Sequence, residues 1–193
     1  MADASTQQPT VFDYATGTQW RIAFNRIPKT TWFCTAANIP GISLGEAQYP
    51  TPMTDINLTG DKLTFETLNI TFIVDEELQN YRELWDWMVG IGAPKNHDQW
   101  ASILTKGDSA VRQFGADDAD PRTKSTCEES NLYSDATLIV YNSKNMAKVN
   151  VQFKNMFPTS LSALEYSQEL TDVEYFKASA TFRYLYYEFE TAK

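Results

Sequence analysis

Apolar and polar positions alternate along most of this chain, and the breaks in that alternation mark its elements. Trp20, Ile22 and Phe24 are interleaved with Arg21, Ala23 and Asn25, the period-two signature of a strand with one buried face. Pro28 and Lys29 then read as a turn, and Trp32 to Ala36 as a return strand. Pro40 and Gly41 end it, because Pro offers no ladder donor and Gly accepts a positive φ. The pattern predicts a first hairpin that closes near residue 40. From Ile42 to Lys62 the alternation is weak (Ile56, Leu58) and is interrupted by Pro50 and Pro52. Such a segment suits an exposed hairpin or an edge, not a central strand, and Gly60 with Asp61 reads as its closing turn.

The apolar parity is odd at Leu63 and Phe65 and even at Leu68, Ile70, Phe72 and Val74. One register cannot bury both sets, so a bulge or break is expected near Glu66 and Thr67. Spacing then changes to threes and fours at Leu78, Tyr81, Leu84, Trp85 and Met88, behind the acidic run Asp75, Glu76 and Glu77. Negative charge suits the exposed amides of a helix N-terminus. The expectation is a helix over Glu76–Met88, capped by Asp75, ended by Gly90 and Gly92, with Leu78, Tyr81, Trp85 and Met88 on the sheet.

About forty polar, weakly periodic residues follow, from about 94 to 133, and read as an insertion that is helical near Asp98–Leu104. Regular alternation returns at Thr137–Tyr141, with Asn142–Asn145 as a turn, followed by Val149, Val151 and Phe153 facing inward. Met156, Phe157 and Pro158 read as an apolar corner and SLSALEYS as a connector. A final long strand places Phe176, Ala178, Ala180, Phe182, Tyr184 and Tyr186 on one face and Lys177 through Tyr187 on the other. The whole is mainly antiparallel β with one flanking helix, and no internal repeat is present. Residues 1–12 are small and polar and read as a flexible arm on a single domain spanning 1–193.

Composition agrees with a β fold: of 193 residues, 13% are aromatic, weighted toward Tyr and Phe. The formal net charge of −9 argues against a nucleic-acid binder, which needs clustered Lys and Arg. The start of the chain lacks a signal-peptide pattern and no apolar run is long enough for a membrane span, so synthesis in a cytoplasm, without membrane contact, is expected.

Candidate chemistry is sparse. The only histidine, His97, sits in a polar PKNHDQW setting, and the two cysteines, Cys34 and Cys127, read as free thiols. No catalytic couple and no zinc spacing can be assembled from these. Asp117, Asp118 and Asp120 lack the Gly and the distal Glu of an EF-hand loop, and read as a solvated acidic loop. Gly60-Asp61-Lys62 and Gly107-Asp108-Ser109 lack the phosphate-loop pattern. The expectation is therefore no enzyme, no cofactor and no metal. The aromatic crowding at Tyr184, Tyr186, Tyr187 and Phe189 admits a stacking platform for bases or sugars, but suits a subunit interface better.

Two regions in serial order carry a resemblance. One runs from WFCTAANIPGIS through GDKLTFETLNITFIVDEELQNYRELWDWM; the other comprises TLIVYN, KVNVQFKNMFPTSLSALEYS and FKASATFRYLYYEFE. Together they resemble the tail-tube proteins of contractile bacteriophages. The resemblance implies a β-sandwich or split barrel whose strands join those of five like subunits in a hexameric ring with a continuous inner β-barrel. Rings would stack into a tube inside a sheath protein, between baseplate and neck tube proteins, with DNA passing the lumen unbound, in a virion tail. Unpaired edges are then closed by the ring. Inter-subunit contacts are expected at Tyr49, Pro50, Pro52, Met53, Ile56 and Leu58 of the exposed hairpin, and at Tyr184, Tyr186 and Tyr187. The alternatives are a single-ring tube initiator or terminator, the tube of a phage-derived injection system and, in a different class, a ligand-binding β-sandwich module.

Overall fold

The computed structural model describes residues 13–95, 132–167 and 175–191. Among these, nine strands and two helices follow one another: β1 (Trp20–Phe24), α1 (Pro28–Phe33), β2 (Cys34–Ala37), β3 (Ile42–Tyr49), β4 (Ile56–Phe65), β5 (Leu68–Ile73), α2 (Gln79–Gly92), β6 (Ser134–Tyr141), β7 (Ala147–Leu161), β8 (Lys177–Arg183) and β9 (Tyr186–Thr191). All pairings are antiparallel. The expected arm (1–12), most of the expected insertion, and with them His97, Cys127, Asp117, Asp118 and Asp120, lie outside the described residues.

The long strand β7 organises the body. Its first half lies between β6 and β9, and its second half pairs with β8, which leads on to β5 and β2. Two wings, β1-β6-β7-β9 and β7-β8-β5-β2, thus share one strand. The change of wing falls at Asn155, which has a positive φ of 52°. Apolar parity shifts there, from Val151 and Phe153 to Met156 and Pro158, and all four are buried on their new register. Asp135 holds the irregularity: its Oδ1 accepts the Asn155 amide (3.0 Å) and its Oδ2 pairs with the Lys154 ammonium (3.3 Å). The expected corner therefore lies inside a strand, which runs on to Leu161.

The wings face each other across one core. Phe24 of β1 stacks on Phe182 of β8 with centroids 5.7 Å apart, and Trp87 of α2 reaches the same ring at 6.3 Å. Leu68, Ile70 and Phe72 are buried from β5, opposite Phe182, Ala180 and Ala178 of β8. The expected alternation of β1, β5 and β7 and the break at Glu66–Thr67 are all present.

Four further expectations need correction. The first hairpin does not form: β1 pairs with β6 and β2 with β5. Pro28 stands at the first turn of a helix, where its missing N–H and fixed φ cost nothing, and α1 carries the chain from one wing to the other. Thr31 Oγ1 ties that crossing to β1 by accepting the Phe24 amide. Trp32 and Phe33 are consequently helical and exposed.

Gly60 and Asp61 are not a turn but lie within β4; the connection is Pro50–Asp55. A side chain at Gly60 would meet the Gly45 carbonyl oxygen at 2.6 Å, so glycine is needed for the two backbones to approach.

The helix begins at Gln79, not Glu76, and Asp75 does not cap it. The Asp75 carbonyl accepts the Leu78 amide in a tight turn, with Leu78 at φ 55°. Buried Asn80 holds that junction: its Oδ1 accepts the amides of Asp75 (3.2 Å) and Tyr81 (2.8 Å), and its Nδ2 donates to the Ile73 carbonyl (2.8 Å). The helix runs through Gly90 to Gly92 and buries Asn80, Leu84, Trp87 and Gly90, whereas Trp85 is half exposed. Its inward face is centred on Leu84 and Trp87, about one residue around from the expected stripe.

The final strand is two. β8 ends at Arg183, Tyr184 and Leu185 form a kink, and β9 pairs with the first half of β7.

Candidate assembly surface

The β3–β4 hairpin stands apart from the body. Its two strands pair only with each other among the described residues, and every residue of β3 is exposed. Its register nevertheless places apolar against apolar: Ile42 opposite Phe65, Leu44 opposite Leu63, Ala47 opposite Leu58, Tyr49 opposite Ile56. Parity changes in both strands at the Gly45–Gly60 irregularity, so this matching persists along the whole hairpin. A bulge of this kind adds twist and re-aims the side chains beyond it.

Of the expected contact residues, Tyr49, Ile56 and Leu58 lie in the outer half of the hairpin, while Pro50, Pro52 and Met53 make its tip, with Met53 95% exposed. Ile42, Leu44 and Leu63 of the inner half are exposed as well; the sequence reading passed over them although they carry the same alternation. Among the described residues the ribbon thus keeps apolar side chains exposed on both strands, the kind of patch that protein partners cover.

The tyrosines occupy the other end. Tyr184 and Tyr187 are half buried at the hairpin's base. The Tyr187 hydroxyl donates to the Pro40 carbonyl (3.1 Å), just before β3, and the Tyr184 hydroxyl donates to the Glu66 carbonyl (2.8 Å), just after β4. Their rings pack on Phe65 of the hairpin (6.0 and 5.6 Å) and on Phe153 of the body (5.1 and 5.7 Å). Burial is the main cause that pushes the Tyr184 hydroxyl up to about 12, with Tyr187 and Glu66 adding to it. Tyr186 lies opposite Lys154 in the β7–β9 ladder. The structure thus separates the expected contact residues into a tip set and a base set.

Three strands also end the sheet with one side unpaired among the described residues: β1, β2 and β9. Between β1 and β2 lies an open cleft of about 620 Å³, lined by Trp20, Arg21, Trp32, Cys34 and Tyr141, with the Arg21 guanidinium 4.7 Å above the Trp32 ring. Burial raises the Cys34 thiol to about 11, the opposite of an activated nucleophile. Among the described residues no three His, Cys, Asp or Glu side chains come together as metal ligands, and no helix is long and apolar enough to cross a membrane. What the geometry offers is edges and apolar surface for protein contacts.

The family model for phage tail tube proteins matches residues 9–190. The chain belongs to the phage tail tube protein family. Membership makes it a structural tail tube protein. Solved structures share the fold at low identity. The sheath/tube terminator of the PVC extracellular contractile injection system superposes with a TM-score of 0.55 at 14% identity, covering 93% of this chain and 99% of that one. A chain of the PVC sheath–tube complex in its extended state gives 0.53 at 14%, with full coverage of both. The tube-terminating cap of the anti-feeding prophage gives 0.52 at 15%, again over both full lengths. No curated protein sequence matches the chain. With the family established, the ligand-binding module is set aside.

Proposed function

We propose that this tail tube protein forms rings of six copies, closed through the edges of β1, β2 and β9, that stack into a tube through contacts of the β3–β4 hairpin. The observation that carries this reading is the hairpin: apolar in register on both strands, yet exposed along its length. A monomer gains nothing from such a ribbon, whereas a neighbour that covers it buries apolar area worth about 25 cal/mol per Å². Tyr49, Pro50, Pro52, Met53, Ile56 and Leu58 supply the contact; a sheath protein outside and baseplate and neck tube proteins at the ends complete the partners. The net charge of −9 suits a lumen that repels a passing DNA backbone.

Size-exclusion chromatography and negative-stain microscopy of the purified protein test the reading. Rings, or tubes of constant diameter, are expected; a persistent monomer at high concentration overturns it. Deleting Tyr49–Asn57 should leave a folded protein that still closes rings but no longer stacks them. A second reading, a terminator that stops at one ring, is favoured by two of the similar structures, a cap and a sheath/tube terminator. Rings that never stack at any concentration would select it.

A further inference from the structure

We propose that Tyr184 and Tyr187 form a clamp that sets the direction in which the β3–β4 hairpin projects, and so act as positioning residues for assembly through this chain's own backbone. The assembly half of this statement rests on the function proposed above; the clamp itself does not.

The argument is one of placement. A two-stranded ribbon with no layer beneath it is marginal alone and free to swing about its base. Here the base is held on both strands at once. Pro40 and Glu66 are the residues that flank the hairpin, and each offers its carbonyl to one tyrosine. Between them, the Glu66 amide donates to the Gly41 carbonyl (3.0 Å) and the Glu66 carboxylate accepts the Gly41 amide (3.3 Å). Tyr184 sits in the kink that divides β8 from β9, Tyr187 lies in β9 itself, and β9 is laddered to β7 from Lys154 to Val149. The clamp is therefore fixed to the strand common to both wings. Phe65 and Phe153 close the contact from the hairpin and the body sides. Packing alone would need only the rings; that both hydroxyls land on the two flanking carbonyls is what assigns direction. Because the Tyr184 hydroxyl titrates only near 12, it remains a donor at any physiological pH.

The test removes the hydroxyls and keeps the rings. In full-length protein carrying Cys34→Ser and Cys127→Ser, spin labels at Met53→Cys (tip) and Lys144→Cys (the β6–β7 turn) report the tip-to-body distance. The labelled chain is diluted in unlabelled protein so that only intramolecular distances count. The parent should give one narrow distance; Y184F/Y187F should lose that peak and give a broad or shifted distribution. An unchanged narrow peak overturns the clamp. Should the double variant fail to fold, Y184F and Y187F taken singly should each broaden the distribution, and no change in either overturns it equally. Stacking of Y184F, Y187F and the double variant in the otherwise unchanged, unlabelled chain is scored by negative-stain microscopy. A broadened distance with normal stacking would leave the clamp standing and refute the hairpin's role in assembly.

Discussion

Strand β5 of the body and strand β3 of the hairpin are built on the same local rule and end in opposite conditions. Along Leu68–Ile73 every second residue is fully buried, whereas along Ile42–Tyr49 none is. Both carry alternating apolar residues, and both are paired apolar to apolar with their neighbours. What differs is the layer beneath. The apolar face of β5 is buried in the core with residues of the opposite wing and α2, while among the described residues β3 and β4 pair only with each other. Stability therefore resides in the body and, on the function proposed above, assembly in the hairpin, so substitutions should separate the two.

The largest effect should come from the body's aromatic seal. Trp87 is 2% exposed, donates its indole N–H to the Leu132 carbonyl (3.0 Å) and carries Arg26 over its ring. Trp87→Ala should cost about 3–5 kcal/mol, measured by urea denaturation, whereas Trp85→Ala, two residues earlier, should stay within about 0.5 kcal/mol. Equal losses would mean that both indoles seal the core.

Next is the polar pin of α2. Asn80→Ala leaves the Ile73 carbonyl and the Asp75 amide without their partner, at about 2–3 kcal/mol. The same urea titration checks it, and a negligible loss would show that water replaces the side chain.

On the hairpin side, Gly60→Ala forces a methyl against the Gly45 carbonyl, a strain of about 1–3 kcal/mol that the ribbon can release by distorting. The body's unfolding midpoint should hardly move while stacking is lost. A midpoint that falls with it would couple hairpin and body more tightly than the uncovered ribbon implies.

The smallest effect is chemical. Burial raises the folded Cys34 thiol from 9.0 to about 11, so the neutral form is favoured by folding. That contribution is complete below pH 9 and is lost as pH rises through 11. In Cys127→Ser protein at pH 8, the thiolate fraction of Cys34 should be about a hundredfold lower folded than unfolded. Alkylation rates with and without denaturant read this directly, and equal rates would place Cys34 in solvent.

Much of this was legible in the chain. Period-two spacing at Trp20–Phe24, Leu68–Val74 and Val149–Phe153 settles strand and face, because successive side chains of a strand must point to opposite sides. The parity change at Glu66–Thr67 settles the break, and Pro50 and Pro52 mark an exposed hairpin, although its closing turn was expected at Gly60–Asp61, which lie within β4. Pairing was not legible: β1 joins β6 across more than a hundred residues instead of its neighbour β2, since alternation says which face is apolar and nothing about whose edge lies alongside. The helix face was legible only to within about one residue step, because Leu84 lies on the helix between Trp85 and Trp87, which stand on nearly opposite sides, and the shape of the core alone chooses which of them it buries beside Leu84. Tyr184 and Tyr187 show the same limit. The sequence could mark them as aromatic and amphipathic, but only the tertiary fold brings the carbonyls of Pro40 and Glu66, more than a hundred positions away, to their hydroxyls.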